Sequence, residues 1–251
     1  MKHSLARRVS APVVAVVAAL CLAEATPSAQ RTPAVSGVTV FAAASLTDVF
    51  RQIDPQPTYN FGGSNQLAFQ VRQGAPADVF VSAAPSFTQD LFRENLVERP
   101  STFVTNTLVL AVPRSNPAGI RTVFDLARKP VKLVVATPQV PVGAYTRTVL
   151  RNLGLSVVLA KVVSQEPDVR SVVGKVALGE ADAGFVYQTD IASVSDRVTA
   201  IRLPAFAQPK VRYEIGIVRS TRNRAGAQQF ISQLRTPRAK AILRRAGFGL
   251  K

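Results

Sequence analysis

Histidine, cysteine, methionine and tryptophan are nearly absent from this sequence of 251 residues. His3, Cys21 and Met1 are the only residues of their types, and tryptophan does not occur. All three lie within the first 25 residues, so they are lost if that segment is removed. The remaining chain then excludes disulfides, thiolate nucleophiles, histidine bases and metal sites built from His or Cys.

The first 25 residues have the order of features that is typical of a secretory signal peptide. A basic start is followed by the uncharged, mostly apolar residues 11–23, and residues 23–25 supply an A-x-A cleavage signal. The apolar run is shorter than the ~20 residues that a membrane-spanning helix needs. Acylation at Cys21 is disfavoured because Leu20 precedes it, where a lipoprotein signal has a small residue. Residues 1–25 are therefore predicted to be a signal peptide that directs export.

Acidic residues are too few to balance the basic ones. The net charge of the full sequence is +16, and 28 Lys and Arg against 14 Asp and Glu follow residue 25. Such an excess is compatible with nucleic acid, an anionic membrane surface or an anionic ligand. The basic residues are dispersed, however, and no aromatic residues are interleaved with them to stack bases. We expect a basic, solvated surface and no nucleic-acid partner.

Short β-rich runs alternate with helical patterns, which predicts an α/β fold with parallel sheets flanked by helices. Strands are expected at residues 38–41, 78–81, 108–112, 133–136, 184–187 and 213–218. Helices are expected where apolar residues recur at i, i+3, i+4 and i+7, at residues 46–53, 169–177 and 227–234. The strands at 108–112 and 213–218 are candidates for crossing between two lobes. The lobes would comprise residues 36–110 with 216–251, and residues 111–215.

Four turns between a strand and a helix are candidate anion sites, because ligands of open α/β sheets bind at the carboxyl ends of strands. They lie at residues 42–48, 61–67, 138–145 and 166–169 and contain no Lys or Arg. Helix starts carry free N–H donors and the positive end of the helix dipole. Several helix starts aimed at one cleft could replace the hydration shell of a small oxyanion.

The residues of these turns also have structural interpretations. Ser45, three residues before Asp48, matches a capping box that only satisfies amides of its own helix. The two glycines before Ser64 fit any tight strand-to-helix turn. Tyr187 ends an otherwise apolar strand and is compatible with a core tyrosine whose hydroxyl has one partner. The local patterns leave both interpretations open.

Two longer motifs resemble the periplasmic molybdate-binding proteins of ABC transporters. They are FAAASLT at residues 41–47 and GAPADVFVSA at residues 74–83. Shorter matches follow in the family's order and at its spacing: P-x-G-x-Y at 141–145, DVR at 168–170, VY at 186–187 and RAGF at 245–248. The resemblance covers nearly the whole chain after the predicted signal peptide.

The resemblance implies a two-lobed, type II periplasmic binding-protein fold that closes over molybdate or tungstate. Each lobe would be a mainly parallel sheet flanked by helices, and crossover strands would join the lobes. The implied ligand contacts are hydroxyl or backbone amide groups of Ser45 and Ser64 in one lobe, and of Val142, Val169 and Tyr187 in the other. Ser45 and Ser64 are closer in sequence than is usual in the family, so residues 51–60 are expected to hold a shortened helix.

The resemblance further implies a periplasmic protein, expected to be a monomer, that delivers the anion to the permease subunits of an ABC transporter. No enzyme activity, no cofactor and no direct metal-ion ligands are expected. A binding protein for sulfate, phosphate or another oxyanion is the main alternative. A hydrolase would have to rely on carboxylates, and helix capping already explains Asp48 and Asp168. A sensing domain of a regulator shares the fold, but the signal peptide and the lack of a DNA-binding module argue against it.

Overall fold

The computed structural model describes residues 37–250, so the predicted signal peptide at residues 1–25 lies outside the described residues. The strands are β1 (Thr39–Ala43), β2 (Thr58–Gly62), β3 (Val79–Ser82), β4 (Ser101–Asn106), β5 (Leu108–Pro113), β6 (Leu133–Ala136), β7 (Val162–Glu166), β8 (Ala183–Tyr187), β9 (Val198–Arg202), β10 (Val211–Ile217) and β11 (Gly249–Leu250). The α-helices are α1 (Thr47–Ile53), α2 (Ser64–Arg72), α3 (Pro85–Arg93), α4 (Asp125–Arg128), α5 (Pro141–Asn152), α6 (Val169–Ala177), α7 (Gln188–Ile191), α8 (Arg224–Gln233) and α9 (Pro237–Arg245). Short 3₁₀ helices lie at Ala44–Leu46, Ser156–Lys161, Ala192–Val194 and Ala205–Ala207.

The strands form two separate sheets. The first has six strands in the order β11-β4-β10-β3-β1-β2, and the second has five in the order β7-β6-β8-β5-β9. β1 pairs in parallel with β2 and β3, and β6 pairs in parallel with β7 and β8. The first sheet takes strands from both ends of the described chain, whereas the second is built from its middle. The predicted two-lobed α/β architecture is confirmed.

As predicted, most strands of each sheet run in one direction: β1, β2, β3 and β4 in the first sheet, and β6, β7, β8 and β9 in the second. Both sheets also contain antiparallel strands. In the first sheet β10 runs antiparallel to β3 and β4, and β11 runs antiparallel to β4. In the second sheet β5 runs antiparallel to β8 and β9. A parallel neighbour requires a crossover connection, usually a helix, on a face of the same sheet. β5 enters the second sheet from the first, and β10 enters the first sheet from the second. Both strands run antiparallel to their neighbours.

The chain passes between the sheets at two places. β4 ends at Asn106 in the first sheet and β5 begins at Leu108 in the second, so Thr107 alone connects them. Residues 203–210 connect β9 to β10 on the return. We propose lobe divisions at these connections, a few residues before the predicted positions 110/111 and 215/216.

The helices follow the apolar periodicity of the sequence. In α6 the buried residues Val169, Val172, Val173 and Val176 lie on one face, as predicted. The helix α1 has only seven residues and ends before Pro55, which accounts for the expected shortening in residues 51–60. No helix within residues 37–250 is both long and apolar enough to cross a membrane.

Candidate functional site

A small cavity gathers residues from all four predicted turns. The empty space at this site, including the solvent-filled space at its opening, is about 210 Å³. It is lined by Ala43, Ala44, Ser45, Gly62, Gly63, Ser64, Ala83, Val140, Pro141, Val142, Asp168, Val169 and Tyr187. All five predicted binding residues are among these. Within the part of the chain that the structure describes, the lining contains no Lys or Arg. The cavity takes residues from both lobes.

Three helices begin at this cavity. Ser64 is the first residue of α2, Pro141 of α5 and Val169 of α6. Pro141 has no N–H group, so the amide of Val142 is the first free donor of α5. The first amides of an α-helix have no partner within the helix, and the helix dipole makes this end positive. The arrangement therefore suits an anion without requiring a cationic side chain.

The two serines of the first lobe are buried and hydrogen-bonded. The Ser45 Oγ lies 2.7 Å from the Tyr213 Oη, and no side chain caps the 3₁₀ helix or α1. The capping-box interpretation of Ser45 and Asp48 was therefore wrong. The Ser64 Oγ accepts a hydrogen bond of 3.1 Å from the backbone amide of Ala83. Because a hydroxyl has one hydrogen and two lone pairs, this bond leaves the Ser64 hydrogen free for a ligand.

Tyr187 is almost completely buried at the end of β8, with 1% of its surface exposed. Its Oη is among the buried side-chain atoms of the described chain that have no hydrogen-bond partner. The interpretation as a core tyrosine with a satisfied hydroxyl was therefore wrong. Burial raises the pKa of Tyr187 well above its usual value, so the phenol keeps its hydrogen. A buried donor without a partner costs ~1–3 kcal/mol, which an acceptor on a ligand would offset.

Two glycines of the cavity stand where a side chain cannot fit. A Cβ added at Gly63 would lie 2.5 Å from the backbone oxygen of Pro167, which belongs to the opposite lobe. A Cβ at Gly143 would collide with the backbone oxygens of Ala136 and Thr137. Glycine thus permits the close approach of the two lobes at the second turn and the tight start of α5 at the third.

Further contacts join the lobes beside the cavity. Asp48 of α1 forms an ion pair with Arg170 of α6, at 2.5 Å between Oδ2 and Nη2. The Tyr145 hydroxyl donates to the backbone oxygen of Ala83 at 3.4 Å. Arg170 also donates to Ser193, so the cation nearest the fourth turn is engaged outside the cavity.

Asp168 caps α6, as the sequence predicted, by accepting a hydrogen bond of 2.9 Å from the amide of Ser171. Within residues 37–250, no three His, Cys, Asp or Glu side chains gather in a group that could hold a metal ion. The donors at the cavity are hydroxyl and backbone N–H groups, which suit the oxygen atoms of an anion.

Sequence reasoning missed three buried residues behind the cavity: Tyr213, Asn106 and Asp190. Tyr213 and Asn106 connect to Ser45 by hydrogen bonds. Asp190 accepts a hydrogen bond of 2.9 Å from the amide of Tyr187, and burial raises its pKa to about 7. No local motif marks Tyr213 or Asn106, since the partners of their side chains lie mainly in other elements. Asp190 has a local partner, the backbone amide of Tyr187 three residues earlier at the start of α7.

Two α/β lobes with helix starts facing a shared cavity define a protein of the solute-binding class. A family model described as bacterial extracellular solute-binding protein matches residues 38–249, and the chain belongs to this family. The chain is 38% identical to the molybdate-binding protein ModA of Mycobacterium tuberculosis, with 96% of this chain and 95% of that protein covered.

Other relatives agree with this assignment. ModA of Haemophilus influenzae is 34% identical, with 85% of this chain and 90% of that protein covered. The periplasmic molybdate-binding protein of Azotobacter vinelandii has the same fold, with a TM-score of 0.77, 24% identity and coverage of 85% of this chain and 99% of that one. The resemblance inferred from the sequence motifs is thereby confirmed.

Proposed function

We propose that this protein binds molybdate or tungstate outside the cytoplasm and delivers it to the permease subunits of an ABC transporter. The observation that carries the proposal is the buried, unpartnered hydroxyl of Tyr187 at a cavity where three helices begin. A tetrahedral oxyanion offers acceptors in several directions, which matches donors arriving from both lobes. The names of the Mycobacterium tuberculosis and Haemophilus influenzae relatives support this choice of anion.

In the proposed complex, Ser45 and Ser64 donate through hydroxyl or amide groups from the first lobe. The amides of Val142 and Val169 and the hydroxyl of Tyr187 donate from the second lobe. Hydrogen bonds to a charged group are worth ~1.5–3 kcal/mol each, and more of this is retained where water is excluded. The anion would therefore hold the lobes together, and its release to the permease would require them to separate.

The size of the donor cage determines selectivity in this proposal. Molybdate and tungstate have nearly the same size and charge, so fixed donors should hardly distinguish them. Sulfate is smaller, and in the same cage some donors would lose their partner at a cost of ~1–3 kcal/mol each. The protein acts as a monomeric carrier in the periplasm and uses no cofactor or direct metal-ion ligand of its own.

Calorimetric titration of the chain from residue 26 onward with molybdate, tungstate, sulfate and phosphate tests the proposal. We expect molybdate and tungstate to bind within roughly tenfold of each other and sulfate and phosphate to bind at least ~100-fold more weakly. At about 100 times its dissociation constant, molybdate should stabilise the fold by about 2.7 kcal/mol, seen as a higher melting temperature. Equal stabilisation by sulfate would instead identify a general oxyanion-binding protein.

A further inference from the structure

A chain of buried hydrogen bonds runs from the cavity to the connection between the lobes. The Ser45 Oγ lies 2.7 Å from the Tyr213 Oη, and the Asn106 Nδ2 donates to this same Tyr213 oxygen at 3.3 Å. The Asn106 Nδ2 also donates to the Thr189 Oγ1 of the second lobe at 2.9 Å. Each of the four side chains belongs to a residue that is at most 9% exposed. Water therefore has little access to these groups, and their hydrogens have to be satisfied within the protein.

The neighbouring backbone fixes the orientation of the Asn106 amide. The amide N–H of Thr107 can only donate, and it donates to the Asn106 Oδ1 at 2.9 Å. The Nδ2 group therefore faces Tyr213 and Thr189 and uses one hydrogen for each. It follows that the Tyr213 oxygen accepts a hydrogen bond from Asn106.

The remaining hydrogen of Tyr213 then sets the direction of its bond with Ser45. In the described part of the chain, the acceptor within hydrogen-bonding distance of the Tyr213 hydroxyl is the Ser45 Oγ, at 2.7 Å. The reverse arrangement, with Ser45 donating, would leave a buried phenol hydrogen without an acceptor, which is unfavourable. Burial raises the pKa of Tyr213 well above its usual value, so this hydrogen is retained. Ser45 is therefore the acceptor of this bond.

We propose that Tyr213 and Asn106 are positioning residues that hold the Ser45 hydroxyl as a donor to the bound oxyanion. Since the Ser45 oxygen accepts from Tyr213, its single hydrogen is free to turn into the cavity, which Ser45 also lines. Without Tyr213 the same hydroxyl can rotate among competing acceptors, and ordering it costs binding free energy. This inference rests on the proposed function of the cavity.

A double-mutant cycle with molybdate as the probe tests this relay from Asn106 through Tyr213 to Ser45. Tyr213→Phe removes the phenol oxygen but keeps the ring, which contacts the rings of Phe103 and Phe248. We expect its dissociation constant, measured by calorimetry, to rise about three- to tenfold. In a Ser45→Ala background the same change should have no further effect, because the residue through which Tyr213 acts is gone.

Tyr59→Phe is the matched control. The Tyr59 hydroxyl donates to the backbone oxygen of Asp54 at 2.7 Å in the same lobe and does not line the cavity. We expect this control to leave the molybdate affinity unchanged in both backgrounds. If Tyr213→Phe does not fold, Asn106→Leu removes the donor to Tyr213, and its loss of affinity should likewise disappear in the Ser45→Ala background.

Two results would overturn the relay. An unchanged affinity for Tyr213→Phe would show that the hydroxyl does not position Ser45. An equal loss in the presence and absence of the Ser45 hydroxyl would assign the effect to packing. Failure of the wild-type protein to bind molybdate would refute the proposed function and the relay together, whereas wild-type binding with additive losses would refute the relay alone.

Discussion

The Tyr187 hydroxyl allows a sharp test because its removal should have different effects on stability and on binding. Tyr187→Phe deletes one oxygen that is buried and without a partner in the described structure. In the ligand-free protein the free energy of unfolding should stay the same or increase, by up to ~1–3 kcal/mol, since an unpaired polar atom disappears. In the complex the same change removes a donor to a charged group, worth ~1.5–3 kcal/mol. The affinity for molybdate should therefore fall roughly ten- to a hundredfold.

Calorimetric titration gives the affinity, and urea denaturation without ligand gives the stability. Tyr59→Phe serves again as the control, because it removes a phenol oxygen whose hydrogen bond to Asp54 is intramolecular. That variant should lose about 0.5–1.5 kcal/mol of stability and keep its affinity. The reasoning fails if Tyr187→Phe binds molybdate as the wild type does, or if it is destabilised as much as the Tyr59→Phe control.

Four further predictions concern lobe closure, salt and pH. Gly63→Ala should weaken molybdate binding more than tenfold, because its Cβ would lie 2.5 Å from the Pro167 oxygen of the opposite lobe; an unchanged affinity in calorimetry would show that the lobes adapt to the added methyl group. Asp48→Asn breaks the ion pair with Arg170, which is partly exposed and worth ~0.2–1 kcal/mol. Loss of the pair should raise the off-rate of molybdate, by less than tenfold, in stopped-flow measurements. An unchanged off-rate would mean that the pair does not stabilise closure. Raising salt from about 50 to 500 mM should weaken equilibrium binding of molybdate by less than roughly tenfold, mainly through a lower on-rate. The reason is that amides and hydroxyls, rather than surface charge, bind the anion. A large rise in the off-rate would contradict this. Burial raises the pKa of Asp190 to about 7, so the folded protein holds a proton that the unfolded chain releases near pH 4. The free energy of unfolding should therefore fall as pH rises from 4 to 7. Asp190→Asn should reduce this dependence on pH, measured by urea denaturation at several pH values.

Local patterns predicted much of the secondary structure. The buried strands β5, β6 and β8 and the helix α6 are continuous or periodic apolar runs, so their pattern reflects their own burial. The turns before α2, α5 and α6 were also predicted to start helices, from their glycine, proline and capping residues. These features depend on backbone geometry within a few residues, which is why the sequence alone reveals them.

Half-buried and peripheral strands escaped prediction. β2 and β7 lie at sheet edges, and their residues are mostly partly buried or exposed, so no buried apolar run marks them. β4 and β9 show a similar mixture of burial. The direction of pairing was also hidden, because the apolar content of β10 is the same whether its neighbours run parallel or antiparallel to it. Pairing partners and direction depend on how the chain travels between the lobes.

By itself the sequence determined the residue types of the cavity: small and hydroxylic residues at helix starts, with no cationic side chain. Motif resemblance supplied the five proposed ligand residues, and the tertiary structure alone placed all five around one cavity. Only the tertiary structure decided what lies behind Ser45, because Tyr213 is 168 positions away in sequence. A hydrogen bond acts over about 3 Å of space whatever the separation along the chain, so no local pattern encodes it. The donor types are thus local properties of the sequence, whereas their convergence and orientation are properties of the fold.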